Sequence, residues 1–444
     1  MSTTKASEEA RLDRQLRLPG VLLFGVAYMA PLIVLGTFGV VATTTEGTVP
    51  SAYVVALVAM LFTAASYGKM AATHPVAGSA YTYVRKAVDS RLGFLVGWAV
   101  LLDYFFLPMV IWLIGGAYLS AQFPDVPGWL WLVAFIAITT VLNVLGIKIA
   151  EKANFLLMAF QVLVIAFFIV LALKAVLTAG HPIDGGDPFF HPGATFGTIS
   201  GGAALATYSF LGFDAVTTLT EETVEPKRTI PRAILLTALI GGGVFIVLAY
   251  VTQLVHPGFA FNDESSAAFE IAGRIGGAAF AAFFLAGLVV AQFASGIAAQ
   301  ASASRLMFAM GRDGVLPRIF GRLQPKLHTP AFAIGLTGLV GLIALALDVT
   351  TSTSFINFGA FTAFTMVNVS VIATWLRTRR ETKRNVLTWL VAPVIGALID
   401  LWLLVNLDGL ALTFGLVWLG IGIVYLVVLT RGFRRPPPEI TFEE

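Results

Sequence analysis

The strongest constraint on this chain is a series of apolar runs, each close to 20 residues, that recur along nearly its whole length. A helix rises 1.5 Å per residue, so about 20 residues match the roughly 30 Å hydrocarbon core of a bilayer. A backbone in lipid must satisfy its own hydrogen bonds, which leaves helices or closed barrels, and runs of this length read as helices. The runs fall at 20–44, 51–73, 93–121, 128–147, 153–178, 196–221, 231–255, 276–304, 330–348, 353–376, 386–406 and 409–430. They predict an all-α polytopic membrane protein with 12 transmembrane helices. Only 12% of residues are charged, against about 25% in soluble domains. No stretch reads as a separate soluble domain. The polar stretches 1–19 and 432–444 read as tails, and Pro436-Pro437-Pro438 keeps the second one extended. The first apolar run is too long for the core of a cleavable signal peptide.

Orientation follows from the basic residues. With the N-terminus in the cytoplasm, all of the 28 Lys and Arg except Lys174 and Arg274 fall in cytoplasmic segments. The opposite loops carry Glu46, Asp125, Asp184, Asp187, Asp263, Glu264, Glu270 and Asp408. The positive-inside rule therefore puts both termini in the cytoplasm. The same sorting accounts for the net charge of +3 without a nucleic-acid partner.

One stretch inside the sixth run breaks the pattern: Thr207-Tyr208-Ser209-Phe210-Leu211-Gly212-Phe213-Asp214-Ala215-Val216. Insertion scales price a mid-membrane carboxylate at about 2.5–3.5 kcal/mol, and Gly costs about 1 kcal/mol inside a helix. A chain that keeps both at one depth is expected to use them, as a broken helix whose backbone and Asp214 line a substrate site. The first run is interrupted in the same way by Gly20, Gly25, Pro31, Gly36 and Gly39. Breaks at the first helix of each of two five-helix halves predict an inverted-repeat transporter, with repeats at 20–178 and 196–376 and two extra helices over 386–430.

Ionisable residues inside the runs are few: Asp103, Asp214 and Asp400. No base lies at comparable depth, so the interior suits a cation or a transported proton. Asp400 lies near the outer end of its run and is expected at the interface. Tyr104 adjoins Asp103, and Tyr208 and Phe210 precede Asp214. Aromatic faces stabilise an alkylammonium by about 0.5–2 kcal/mol each. The chain has no cysteine, and its five histidines lie in or beside loops without metal-ligand spacing. There is no phosphate-binding loop, metal cluster or nucleophile constellation, so neither an enzyme nor a bound cofactor is expected.

Three motifs in order resemble the amino acid–polyamine–organocation (APC) superfamily. They are Pro75-Val76-Ala77-Gly78-Ser79-Ala80-Tyr81-Thr82-Tyr83, Phe210–Asp214 with Glu221–Pro231, and Ser304-Arg305 through Arg312–Pro317. Ala27-Tyr28-Met29, Thr37–Val41 and Leu101-Leu102-Asp103-Tyr104 bring the whole chain nearest to the bacterial putrescine importers. The resemblance implies the LeuT-type fold in the plasma (inner) membrane: a 5+5 inverted repeat plus two helices, with substrate held by spans 1, 3, 6, 8 and 10. It implies that Tyr28, Met29, Ala30, Asp103, Tyr104, Tyr208, Phe210 and Gly212 bind substrate. It gives Asp214 the coupled proton and Glu222 a pairing with a base at the inner gate.

The chain also departs from its resemblances. Met29–Val34 is bulkier than the Gly-Ser-Gly-like break whose N–H groups hold a substrate carboxylate in amino acid permeases. Gly36 stands where the putrescine importers carry an acid, and Gln161 where some proton-coupled relatives place a lysine. Ser295 offers a possible ion site with one hydroxyl, where sodium-dependent LeuT-type proteins offer two. The expected function is secondary-active, proton-coupled uptake of a small organic cation such as putrescine, with sodium the less favoured ion. The alternative is an amino acid permease.

Overall fold

The computed structural model describes residues 15–75, 79–146, 151–178, 185–220 and 222–439. Residues 1–14 and 440–444 of the polar tails, and Val76, Ala77, Gly78 and Glu221 of the motifs, lie outside these residues. The described chain is helical throughout. In order come α1 (Leu18–Tyr28), α2 (Ile33–Thr44), α3 (Val49–Thr73), the short α4 (Ser79–Ala87), α5 (Ser90–Gln122), α6 (Gly128–Val144) and α7 (Glu151–Thr178). Then follow α8 (Phe196–Ala206), α9 (Pro226–Val255), α10 (Ala267–Arg312), α11 (Ala331–Gly341), α12 (Val349–Thr378), α13 (Ala392–Val405) and α14 (Gly409–Leu429). Among the described residues eight helices are long and apolar enough to cross a membrane, and α1 with α2, bent by 47°, makes a ninth if the pair is one span. The helices α6 and α11 are apolar but shorter.

Local chemistry explains where these helices begin. Proline occupies the first turn of α1, α3 and α9, where its missing N–H is not needed. Side-chain oxygens cap others: Asp89 accepts from the Arg91 N–H at the start of α5, and Asp348 from the Thr351 N–H at the start of α12. Thr195 and Thr198 form a reciprocal capping box on α8. The run expected at 276–304 is longer than expected. Helix α10 starts at Ala267, and only Gly277, at φ +70°, interrupts it.

Helices α5 and α12 hold the centre, with α3 against α9 and α10 against α5. The flanking helices α7 and α14 turn Leu177, Leu416, Val424 and Val428 outward, which suits a lipid-facing surface. On the other side α2 is wholly buried from Ile33 to Ala42. The Tyr118 hydroxyl donates to the Leu35 carbonyl at 2.6 Å, and Phe261 meets Phe38 edge-on.

Asp400, near the outer end of its run, is fully buried against neighbouring helices. Its carboxylate accepts from the Thr63 hydroxyl at 2.8 Å and the Asn368 amide at 3.0 Å, and Ser66 donates to Asn368 Oδ1 at 2.6 Å. The cluster ties α13 to α3 and α12. Its position near a span end in sequence did not reveal the partners, which lie on distant helices. Replacing Asp400 by leucine takes the acceptor from the Thr63 hydroxyl, while the Asn368 amide keeps the Thr63 oxygen and the Phe364 carbonyl. An unpaired buried group costs about 1–3 kcal/mol, so Asp400→Leu is expected to lower the melting temperature of detergent-solubilised protein, with Asp400→Asn close to wild type. Equal melting of Asp400→Leu and wild type would remove the cluster's structural role.

Candidate functional site

The site is built on two chain breaks that meet. Helix α1 stops because its last N–H groups turn back, Met29 to the Gly25 carbonyl and Ala30 to Ala27. Ala30 takes φ +43°, which is uncommon for alanine, and Pro31 has no N–H to give. The helix restarts as α2 at Ile33. Helix α8 stops at Ala206, and the chain tightens into a 3-10 turn over Thr207–Phe210. Gly212 then adopts φ +104°, and a second 3-10 turn runs over Phe213–Leu219. A Cβ on Gly212 would lie 2.1 Å from Tyr28 Cδ1. The last residue of α1 therefore packs directly on the break after α8.

Two acids flank this junction. Asp103 stands on α5, five residues before Pro108. Pro108 cannot return a hydrogen bond to the Tyr104 carbonyl, so a backbone acceptor is freed beside the acid. Asp214 lies in the second 3-10 turn. It accepts from the Ser79 hydroxyl at 3.2 Å. Asp103 Oδ1 is buried and has no hydrogen-bond partner. The ion pairs among the described residues, Arg85–Glu439, Arg228–Glu225, Arg274–Glu270 and Arg312–Asp313, engage neither. Tyrosines lie near them instead: Tyr104 follows Asp103 on α5, and Tyr67 packs edge-on against Phe213, next to Asp214.

A cavity of about 170 Å³ opens beside the junction, below the 300–1,000 Å³ of drug-sized sites, so it fits only a small molecule. Tyr28, Met29, Ala30, Tyr208 and Ser295 line it, as does Gln161. Gly212 forms the break beneath Tyr28. Asp103, Tyr104 and Asp214 stand behind the lining rather than in it. Phe210 is not brought to the cavity: it is fully buried and meets Phe245 edge-on at 5.1 Å. Glu222 forms no ion pair among the described residues. Its backbone carbonyl instead takes the Gln15 and Leu16 N–H groups, at 2.9 and 3.0 Å, tying the entry of α1 to the exit of the break.

Sequence reasoning missed Tyr67, and it knew Ser79 and Tyr83 only as parts of a motif. The available signal for Tyr67 was a tyrosine hydroxyl inside an apolar run, which needs a polar partner when buried. Gln292 of α10, one of the residues lining the cavity, was also missed.

A family model described as amino acid permease matches residues 20–430. The chain is similar to the low-affinity putrescine importer PlaP of Escherichia coli, 40% identical over 99% of this chain and 98% of the relative. It is also similar to two proteins of Bacillus subtilis, each aligned over 96% of this chain and 95% of the relative. They are the branched-chain amino acid permease BcaP, at 28% identity, and a methylthioribose transporter, at 26%.

Proposed function

We propose, from the premise that this chain belongs to the amino acid permease family and is a multi-pass membrane transporter rather than an enzyme, that it imports a small organic amine such as putrescine. The observation that carries the reading is the pair Asp103 and Asp214, held without a base among tyrosines at the junction of two broken helices. Two carboxylates at this depth with no ion-pair partner among the described residues favour a cationic guest or a proton. The similarity to a putrescine importer over almost the whole chain points the same way.

The mechanism we infer is alternating access in a LeuT-type arrangement of twelve spans. Spans 1–5 cover 20–178, spans 6–10 cover 196–376 and the two extra spans cover 386–430, with both termini cytoplasmic in the inner membrane. The bent α1–α2 pair and the break after α8 serve as spans 1 and 6. Asp103 with Tyr104 meets the ammonium, and Tyr28 and Tyr208 cover it. Asp214, steadied by Ser79, carries the coupled proton, with sodium at Ser295 the less favoured alternative. Glu222 belongs to the inner gate through the backbone contact with the α1 entry.

The second reading is an amino acid permease, supported by the similarity to BcaP. It is the weaker reading at the break in α1. At the entry of α2, Pro31 has no N–H and the Ile33 N–H is returned to the Ala30 carbonyl, which thins the donors there for a carboxylate. Counterflow of labelled putrescine into proteoliposomes preloaded with putrescine tests the choice. Uptake suppressed by external amines and untouched by neutral amino acids is the expected result. Uptake of leucine or valine with no counterflow of any amine would establish the second reading instead.

A further inference from the structure

Helix α8 ends at Ala206, and the chain goes on as the 3-10 turn Thr207–Phe210. The last carbonyls of a helix have no N–H of their own helix to accept from. In a 3-10 turn each N–H reaches back three residues instead of four. The Ala204 carbonyl, which an unbroken helix would pair with the Tyr208 N–H, is therefore short of a donor. Asn357 of α12 supplies one. Its side chain is fully buried, and its Nδ2 donates to the Ala204 carbonyl at 2.7 Å. Further along the turn, the Ser209 hydroxyl is hydrogen-bonded to the Tyr53 hydroxyl of α3 at 3.0 Å. Tyr208, which lines the cavity, lies between these two holds.

The opposite face of α12 packs on the helix that carries Asp103. Residues two apart on a helix point roughly 200° apart, so Phe355 and Gly359 face away from Asn357. Phe355 meets Phe106 of α5 edge-on at 4.9 Å. A Cβ on Gly359 would lie 2.5 Å from the Ala99 carbonyl oxygen, so the backbones of α12 and α5 come together one turn before Asp103. Helix α12 thus stands between the break that carries Tyr208 and the helix that carries Asp103. A buried amide grips one side, and a glycine lets the other side come close. Together they fix the spacing of the two.

We propose that Asn357 is a positioning residue for the amine: through α12 it holds Tyr208 at a set distance from Asp103 without touching the substrate. This rests on the amine reading above, with Asp103 and Tyr208 at the ammonium. Asn357 lies outside the cavity wall, so its loss reaches the substrate only through the position of the break. A merely structural role would instead show as lost stability with affinity intact.

Equilibrium binding of labelled putrescine to purified, detergent-solubilised protein tests this, with melting temperature measured on the same samples. In Asn357→Ser the short hydroxyl turns back to the Thr353 carbonyl of its own helix. The new side chain is then satisfied, but Ala204 loses its donor. The Kd for putrescine is expected to rise about tenfold. Asn357→Asp keeps the shape, and its neutral acid donates to the same carbonyl. Its Kd is expected to stay within about threefold of wild type. Asn357→Ser with a wild-type Kd, whatever its melting temperature, overturns the proposal, and so does an equal loss of affinity in both variants. In either case the amine reading stands, because wild type binds putrescine. If wild type binds neither putrescine nor butylamine, the amine reading fails, and the positioning role with it.

Discussion

Gly212→Leu abolishes transport while leaving the chain inserted and folded. The position combines two demands that only glycine meets. Its φ of +104° lies in the left-handed region, which costs other residues roughly 1–2 kcal/mol. The space where a Cβ would stand is already filled by Tyr28, at 2.1 Å from its ring. Tyr28 belongs to α1, so any side chain at 212 pushes the two breaks apart. Gly212→Ala already makes the clash and is expected to lose most uptake; the larger leucine loses all of it. Membrane abundance and a single gel-filtration peak in detergent report on folding, and labelled-amine uptake reports on function. Wild-type uptake by Gly212→Leu would show that this junction tolerates separation and that the substrate site lies elsewhere.

Neutralising the acids one at a time separates their roles. Asp214 accepts a hydrogen bond from Ser79, which holds its carboxyl in place whether or not it carries a proton. Asp103 Oδ1 is buried without a partner, which leaves it free for an ammonium. Asp214→Asn is therefore expected to lose uphill accumulation and the pH dependence of uptake, yet keep downhill exchange. Asp103→Asn is expected to raise the apparent Kd for the amine by one to two decades, about 1.4–2.7 kcal/mol at 1.4 per decade. Reversal of the two phenotypes would exchange the roles. Asp103→Asn with unchanged affinity and uptake for every amine would remove the cation site and favour the amino acid permease.

The breaks were legible because they are written in backbone chemistry. Pro31 removes an N–H wherever it stands, and glycines at 201, 202 and 212 weaken a helix in any context. The structure places the second break at Gly212 itself, and the glycines at 201 and 202 stay inside α8. The acids were legible because a carboxylate in an apolar run is costly everywhere. Their partners were not. Ser79 lies 135 residues from Asp214, and Thr63 lies 337 residues from Asp400. Phe210 shows the same limit: adjacency to the break suggested a substrate contact, while its ring packs on Phe245 of α9.

The sequence by itself determined the helical class, the positions of the apolar runs and the two interruptions. Each of these follows from a local match between a segment and its surroundings, because bilayer thickness and backbone hydrogen bonding act on one run at a time. Only the tertiary structure decided which face of each helix turns inward. A run that is apolar all round carries no stripe to announce its orientation. Close packing of α3, α5, α10 and α12 therefore settled that Asp400 is clamped by Thr63 and Asn368, that Ser79 reaches Asp214, and that Gln292 lies against the cavity.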